Sequence, residues 1–336
     1  MEAKNKDLWV FIEADDSGRA KNVGLELISK ARELAGMQGG KLVGVVIGSG
    51  TDAAVKAAAA HGADKLIVVD APEYAPYSTD AFTKAFGELA AKYAPTSILI
   101  GATSKGRDLA PRLSCRLKTG LTTDCSALDI DESDGNLACT RPAFGGNLMA
   151  TIICPNHRPQ IVTIRPGVFR LGKADEGRSA EIIREEIRVS PDEIRTRLLE
   201  TIITAVRETV ELEDAEIIVS GGGGCGEEGF KLVHELAAAL GGAVGASRVA
   251  VDEGWIAYDH QIGQTGKTVR PKLYIACGIS GAVHHTSGMS GSKVIVAINN
   301  DETAPILNIA DYGVVGDLFE VIPVLTKEVK KLKGIE

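Results

Sequence analysis

Short apolar runs alternate with amphipathic segments through the first third of the chain. The runs "DLWVFIEA", "KLVGVVIG", "DKLIVVD" and "SILIGAT" are typical of buried strands. The segments "KNVGLELISKARELAG", "DAAVKAAAAHG", "DAFTKAFGELAAKYAP" and "GRDLAPRLSCRLKTG" have the periodicity of helices, and several end at glycine. This alternation predicts βαβ crossovers and a mostly parallel sheet.

The pattern changes twice beyond this region. From Asp124 to Val168 the chain has short β-like runs separated by turn residues. Residues 178–214 are rich in charge, lack glycine and show few strand patterns, which indicates a connector with helical portions. A new α/β segment opens with "AEIIVSGGGGCGEEGFKLVHELAAALGG", which predicts a strand, a glycine loop and a helix. The strands "KLYIACG" and "KVIVAINND" and the helix "DLFEVIPVLTKEVKKLKG" complete it.

The length of the chain supports two domains, because 336 residues exceed what one hydrophobic core usually organises. The predicted fold class is α/β, with two open-sheet domains. The predicted parts are an N-terminal α/β domain at 1–190, a connector at 191–211 and a C-terminal domain at 212–336. The stretch from Ile187 to Leu212 is the predicted hinge.

Charge and cysteine content narrow the function classes. The net charge of −8 argues against nucleic acids and anionic membranes as partners, because both require basic faces. The six cysteines form no CxxC pair, which fits free thiols in a reducing cytoplasm and predicts no metal site. No signal peptide and no membrane-spanning run is apparent in the sequence, so we expect a cytoplasmic location.

The glycine loop of the second segment contains the spacing GxGxxG at Gly221, Gly223 and Gly226. Glycines between a strand and a helix let a pyrophosphate approach the backbone and the helix N-terminus. The spacing predicts either a dinucleotide site or a flexible turn, because consecutive glycines satisfy almost any glycine pattern. An NAD(P)-dependent oxidoreductase would also place an acidic residue about 20 positions later, at the end of a strand. Asp252 is the nearest candidate.

Polar groups lie beside glycines in two further segments. Arg248 occupies the small-residue stretch "VGASRVAVD", where it would contact a ligand or point to solvent. Gln261, Gln264 and Thr265 lie in "HQIGQTGKTVRP". This segment is either a loop that hydrogen-bonds the edge of a planar heterocycle or an ordinary polar loop.

In the N-terminal domain, "LIGATSKGRDLAPRL" is either an anion site or a plain turn.

The doublet His284-His285 follows a predicted strand, where open α/β sheets collect ligands. Metal ligation is disfavoured because adjacent side chains diverge and no further ligand lies three or four residues away. No carboxylate or nucleophile accompanies the histidines in the loop, which argues against acid–base catalysis. The doublet therefore predicts a binding role.

These motifs, in this order, resemble the α subunit of electron-transfer flavoproteins. The matching stretches are "IIVSGGGG", "AAVGASRVAVDEGW", "QIGQTGKTVRPKLYIACGISGAVHHTSGM", "KVIVAINNDETAPI" and "ADYGVVGDLF". "GATSKGRDLAPRL" and "RPAFGGNLMATI" extend the resemblance to the first domain. It implies a heterodimer in which this chain holds FAD in its C-terminal domain. The N-terminal domain would pack against a β subunit that carries AMP or a second FAD.

The resemblance also implies roles for individual residues. Arg248 would lie against the isoalloxazine and favour its anionic semiquinone, and Thr265 would hydrogen-bond the central-ring nitrogen. His285 would lie at the carbonyl of the pyrimidine edge. The residues in contact with the adenosine end of FAD would be Asn299, Asp317 and Leu318. The other implied FAD contacts are Gly223, Ser247, Gln261, Ile262, Gly263, Gln264, Gly278, Ser280, Gly281, Ala282, Val283 and His284.

Two positions depart from the family pattern. The family usually has arginine where this chain has Gly223, which weakens the implied contact to the pyrophosphate or adenosine. The family's usual Gln-His pair is His284-His285 here. An imidazole in place of an amide titrates near neutrality, so the resemblance predicts a pH-dependent flavin potential.

Two versions of the family's function stay open. A simple carrier takes electrons from acyl-CoA dehydrogenases, whereas a bifurcating complex oxidises NADH at the β-subunit flavin. The segments "RPAFGGNLMATI" and "YAPYSTDAF" resemble the bifurcating group, in which Arg141 would reach toward that flavin. The implied acceptors are a quinone, ferredoxin, flavodoxin or a dehydrogenase, and the chain would perform no substrate chemistry of its own. The alternatives from other classes are an NAD(P)-dependent oxidoreductase and a nucleotide-binding regulatory module.

Overall fold

The computed structural model describes residues 6–131, 133–143, 148–196, 198–199 and 212–334. The chain divides into two compact units, Met1–Ile202 and Ile203–Glu336. Each unit has its own sheet and its own hydrophobic core. Among the residues described, no helix is both long and apolar enough to cross a membrane.

The first unit is built on a seven-stranded parallel sheet with the strand order β10-β3-β2-β1-β4-β9-β5. The strands of this sheet are β1 (Leu8–Ile12), β2 (Leu42–Gly48), β3 (Lys65–Asp70), β4 (Ser97–Gly101), β5 (Leu121–Cys125), β9 (Gln160–Ile164) and β10 (Glu181–Arg184). The helices between them are α1 (Asn22–Gln38), α2 (Asp52–His61), α3 (Thr79–Tyr93) and α4 (Ser104–Leu117).

Helices cover both faces of this sheet. Successive side chains of a strand point to opposite sides, so a strand that is apolar throughout needs a covering layer on each face. Leu8 and Val10 of β1 join one apolar cluster with residues of α1 and α2. Trp9 and Phe11 join the other, with residues of α3 and α4. The continuous apolar strands predicted from sequence are therefore buried on both faces.

A second, three-stranded antiparallel sheet belongs to the same unit. Its strands are β6 (Ala127–Ile130), β7 (Leu137–Ala143) and β8 (Leu148–Ile152), in the order β6-β7-β8. β8 leaves large apolar side chains exposed, including Leu148 at 59% and Met149 at 57%. Exposed apolar residues that follow one another along an edge strand indicate a surface for a partner.

The second unit is a five-stranded parallel sheet with the order β12-β11-β13-β14-β15. Its strands are β11 (Ile217–Gly221), β12 (Ala243–Ala246), β13 (Leu273–Cys277), β14 (Ile295–Asn299) and β15 (Tyr312–Val315). Its helices are α5 (Gly226–Leu240), α6 (Arg248–Asp252), α7 (Val283–Thr286) and α8 (Leu318–Lys333). β12 and β13 lie on opposite sides of β11, so the order in which strands are added reverses between β11 and β13. Open α/β sheets bind ligands at such a switch point.

The structure confirms the α/β class and corrects three local predictions. β10 pairs with β3 inside a segment where we expected connector and helix. β15 is a short edge strand in a segment expected to be loop. Asp252 ends the short helix α6 rather than a strand, so it lacks the position that the NAD(P) interpretation requires.

The described start of the predicted hinge is anchored to the first unit. The Tyr74 hydroxyl donates to the Ile187 carbonyl at 2.7 Å. Asp80, on α3, accepts the backbone N–H of Arg195 at 3.0 Å and its Nη2 at 2.8 Å, and also pairs with Arg112. The hydrogen bond from Arg195 holds the pKa of Asp80 below its usual range. These contacts fix Ile187 and Arg195 to the first unit. The hinge itself stays a prediction, because most of the predicted connector lies outside the described residues.

We predict that Asp80→Asn loosens this anchor. Loss of a charge-assisted hydrogen bond should speed amide exchange around Arg195 about tenfold at neutral pH. Because the folded-state pKa of Asp80 is lowered, its contribution is present above the unfolded pKa of about 3.9. That contribution disappears as the pH falls through the folded pKa.

Hydrogen-exchange mass spectrometry checks this prediction, with Asp52→Asn as the control. Asp52 makes an exposed ion pair with Arg184 at 2.9 Å, so its loss should leave exchange around Arg195 unchanged. Equal exchange in wild type and Asp80→Asn would contradict the anchor.

Candidate functional site

A cavity of about 410 Å³ opens at the carboxyl edge of the second unit's sheet. It is bounded by the loops that follow β11, β12 and β13, at the point where the strand order reverses. Its volume falls in the range of small-molecule sites. The lining residues are Gly223, Gly224, Ser247, Arg248, Val249, Gln261, Ile262, Gly263, Thr265, Gly278, Ile279, Ser280, Ala282, His284 and His285.

The glycine loop after β11 forms one wall by direct backbone contact with the loop after β13. Gly222 N–H donates to the Cys277 carbonyl at 2.9 Å, and Gly224 N–H donates to the Gly278 carbonyl at 3.0 Å. A Cβ on Gly222 would lie 2.3 Å from the Gly278 oxygen, which is too close for any larger residue. The glycine run is thus required by loop-to-loop contact as well as by any ligand.

A second contact closes the opposite side of the cavity. The backbone N–H of Gln264 donates to the His284 carbonyl at 2.7 Å. A Cβ on Gly263, which has φ of +144°, would lie 2.7 Å from the same oxygen. The loop of Gln261 to Lys267 is therefore held against α7, which carries both histidines.

Gln261 and Thr265 place a hydroxyl group at the cavity. Gln261 is buried, and its Nε2 donates to Thr265 Oγ1 at 3.0 Å. A hydroxyl that accepts one hydrogen bond keeps its own O–H as a donor. Thr265 can therefore donate to an acceptor atom of a bound ring.

Arg248 supplies the positive charge at the cavity. Its Nε donates to Asp252 Oδ2 at 3.2 Å, one turn along α6, and both side chains are more than half exposed. Exposed ion pairs of this kind contribute about 0–1 kcal/mol. The guanidinium can therefore leave Asp252 for a ligand at little cost.

The two histidines occupy different environments. His284 is exposed at the cavity, whereas His285 is 7% exposed. Burial lowers the pKa of His285 to about 4, against an opposing contribution from the backbone of Ile262. His285 is therefore neutral at physiological pH in the absence of a nearby negative charge.

These residues fit a flavin ring. The hydroxyl of Ser247 is buried and has no hydrogen-bond partner within the described part of the chain, so it is available to a bound group. A Cβ on Gly223 would first meet Val249 Cγ1, at 3.4 Å, so the loop backbone remains open at this position. Apolar walls from Ile262 and Ile279 complete the mixture of apolar surface and few polar groups that such sites have.

Some residues predicted from the resemblance do not line this cavity. Asp317 accepts the Phe319 N–H at 2.9 Å as the N-cap of α8. Asn299 donates to the Ile279 carbonyl at 2.9 Å, and Leu318 packs in the core. Gln264, Gly281 and Val283 also lie outside the cavity lining, and every FAD contact of an individual residue stays a prediction.

The structure adds three lining residues that the sequence analysis missed: Gly224, Val249 and Ile279. Val249 was missed because it is the residue after a predicted contact, Arg248, and has no polar group. Ile279 was missed because it is an apolar residue within a run of small residues. Its position directly after Gly278, a predicted contact, is the one sequence feature that could have indicated it as a lining residue.

Two family models match this chain. Residues 8–190 match the family described as "Electron transfer flavoprotein domain". Residues 211–290, which include all the cavity-lining residues named above, match the "Electron transfer flavoprotein FAD-binding domain".

Full-length relatives extend these matches over nearly the whole chain. The chain is 54% identical to the electron transfer flavoprotein subunit alpha of Thermoanaerobacterium thermosaccharolyticum, over 98% of this chain and 99% of the relative. It is 48% identical to the protein FixB of Clostridium saccharobutylicum, over 99% of each chain. It is 44% identical to the acryloyl-CoA reductase electron transfer subunit beta of Anaerotignum propionicum, over 98% of this chain and 97% of the relative. The chain belongs to the electron transfer flavoprotein family, as an α subunit whose C-terminal domain binds FAD and serves electron transfer.

Proposed function

We propose that the cavity of the second unit holds the redox-active ring of FAD. The observation that carries this proposal is the convergence of Arg248, Thr265 and His285 on one cavity at the carboxyl edge of the sheet. FAD supplies the one-electron chemistry when bound, and the protein binds, orients and tunes it. Thr265 donates to the ring, the glycine loops admit it, and Arg248 offers a positive charge.

Arg248 raises the flavin potential in this account, because its charge interacts more strongly with a reduced, negatively charged ring. We predict that Arg248→Gln lowers the one-electron potential. A charge-assisted hydrogen bond of about 2 kcal/mol, if fully differential, corresponds to a fall of about 90 mV at about 59 mV per tenfold change.

Potentiometric titration of the flavin measures this change, with Lys272→Gln as the control. Lys272 is an equally exposed, ion-paired cation of the same unit that does not line the cavity. A potential that falls equally in both variants, or in neither, would contradict the role of Arg248.

His284 is proposed to make the flavin potential depend on pH, because it places an ionisable imidazole at the cavity where the family usually has an amide. We predict that His284→Gln flattens the curve of midpoint potential against pH. The same curve for His234→Gln, an exposed histidine on α5 away from the cavity, should match wild type. If His284→Gln also matches wild type, His284 is only a spacer.

Alpha subunits of this family pair with a β subunit, and we propose that β8 forms part of that interface. Leu148, Met149 and Ile152 on this edge strand, and Ile153 directly after it, are 38–59% exposed. On a folded monomer these clustered apolar side chains would remain in water, so a partner is the physical reason for them. Arg141 lies opposite Ala150 in the same ribbon.

We predict that Met149→Asp weakens the heterodimer at least tenfold, because a charge would be buried at the interface. Met37→Asp is the matched control, since Met37 has the same 57% exposure on α1 of the same unit. Sedimentation of each variant with its co-expressed partner measures the affinity. Equal affinities for the two variants would show that β8 lies outside the interface.

We further propose the bifurcating version of the function, with NADH oxidised at a flavin of the β subunit. Arg141 supports this proposal: its Nη1 donates to Thr123 Oγ1 at 2.9 Å, which holds a partly buried cation beside the apolar β8 surface. Such a cation suits the charge that a partner flavin gains on reduction. The individual redox partners also remain predictions: acyl-CoA dehydrogenase-type flavoenzymes, quinones, ferredoxin and flavodoxin. The cytoplasmic location is likewise a prediction.

Cofactor content and NADH reactivity test the bifurcating version. The heterodimer should contain two FAD, and NADH should bleach the flavin of the β subunit in wild type. One FAD with AMP and no reaction with NADH would make the chain part of a simple carrier instead.

A further inference from the structure

Tyr274 is a buried tyrosine of β13 that contacts a cavity residue from behind. Its side chain is fully buried, and its hydroxyl lies 3.0 Å from Nε2 of His285. No other hydrogen bond of its hydroxyl has good geometry among the described residues, although Ser220 lies near enough to lower its pKa. Burial dominates and raises the pKa of Tyr274, so the phenol keeps its proton.

The second nitrogen of His285 has no partner of this kind. Its Nδ1 is buried and makes no hydrogen bond among the described residues, although His285 itself lines the cavity. Buried polar atoms in proteins usually have a hydrogen-bond partner, so Nδ1 is available to a group bound in the cavity.

The contact with Tyr274 favours one tautomer of the neutral ring when the cavity holds a flavin. With the proton on Nδ1, the Tyr274 O–H donates to the lone pair of Nε2, and Nδ1–H can donate to a carbonyl of the flavin ring. With the proton on Nε2, Nδ1 would present a lone pair to that carbonyl, and Tyr274 must turn its own proton elsewhere. The geometry therefore favours His285 with Nδ1 protonated.

We propose that Tyr274 is a positioning residue for the flavin site, whose buried hydroxyl fixes the ring orientation and the Nδ1–H tautomer of His285. This inference rests on the proposed function, because it matters for electron transfer only when the cavity holds the flavin ring. Tyr274 itself lies behind His285 and does not line the cavity. A hydroxyl can also reverse its role, so Tyr274 accepts from Nε2–H whenever His285 is protonated.

Nitrogen-15 NMR of the wild-type heterodimer, labelled at its histidines, tests the tautomer directly. His285 is assigned from the signals that disappear in His285→Gln. We expect a protonated-type shift for Nδ1 and a lone-pair-type shift for Nε2 with oxidised flavin bound. The reverse assignment would overturn the proposal without any variant of Tyr274.

The variant Tyr274→Phe tests the role of the hydroxyl. Without a donor to Nε2, the population of the Nε2–H tautomer should rise. The ratio of affinities for reduced and oxidised flavin should change at least threefold, which is about 28 mV at about 59 mV per tenfold change. Tyr312→Phe is the control, because Tyr312 is a 67% exposed tyrosine of the same unit, on β15.

The outcomes separate this inference from the proposal of the flavin site. A wild-type preparation without flavin would overturn the proposed function, whereas the Nε2 shift of His285 would still report its hydrogen bond with Tyr274. Flavin bound in Tyr274→Phe with an unchanged potential and unchanged His285 shifts would overturn the role of Tyr274. If Tyr274→Phe does not fold, the wild-type tautomer decides.

Discussion

The backbone contact between the loops after β11 and β13 is the constraint on which the functional site depends. Gly224 N–H donates to the Gly278 carbonyl, and neither loop leaves room for a side chain at the contact. These loops leave the two strands between which the sheet order reverses. Their contact therefore forms one wall of the cavity at the point where the strand order reverses. Substitution of Gly222 by any larger residue would separate the loops and open that wall.

Adjacent histidines receive different functions because one short helix presents them to different surroundings. His284 stays in contact with water at the cavity, and its carbonyl holds the neighbouring loop through Gln264. His285 turns into the protein, where Tyr274 meets its ring. The two imidazoles differ in solvation, and burial lowers the pKa of His285. The doublet thus combines an exposed group with a buried, oriented one.

The sequence predicted the two α/β domains, the family and FAD, because hydrophobic periodicity and glycine motifs are local patterns. It did not predict β10 or β15, since short edge strands depend on pairing with a distant strand. Asp252, the nearest candidate for an acidic residue at the end of a strand, instead ends a short helix. The sequence did not predict a role for Tyr274 at the site, because an aromatic residue within an apolar strand is typical of the hydrophobic core. Its contact with His285 exists only in three dimensions.

Stepwise reduction of the purified heterodimer, followed by its absorption spectrum, tests the central claim most directly. In our proposal, FAD lies in the cavity, where Arg248, Thr265 and His285 interact differently with oxidised and reduced flavin. We therefore expect flavin bands before reduction and two separate one-electron steps during titration with dithionite. A colourless protein, or bound flavin that is reduced in a single two-electron step, would contradict it.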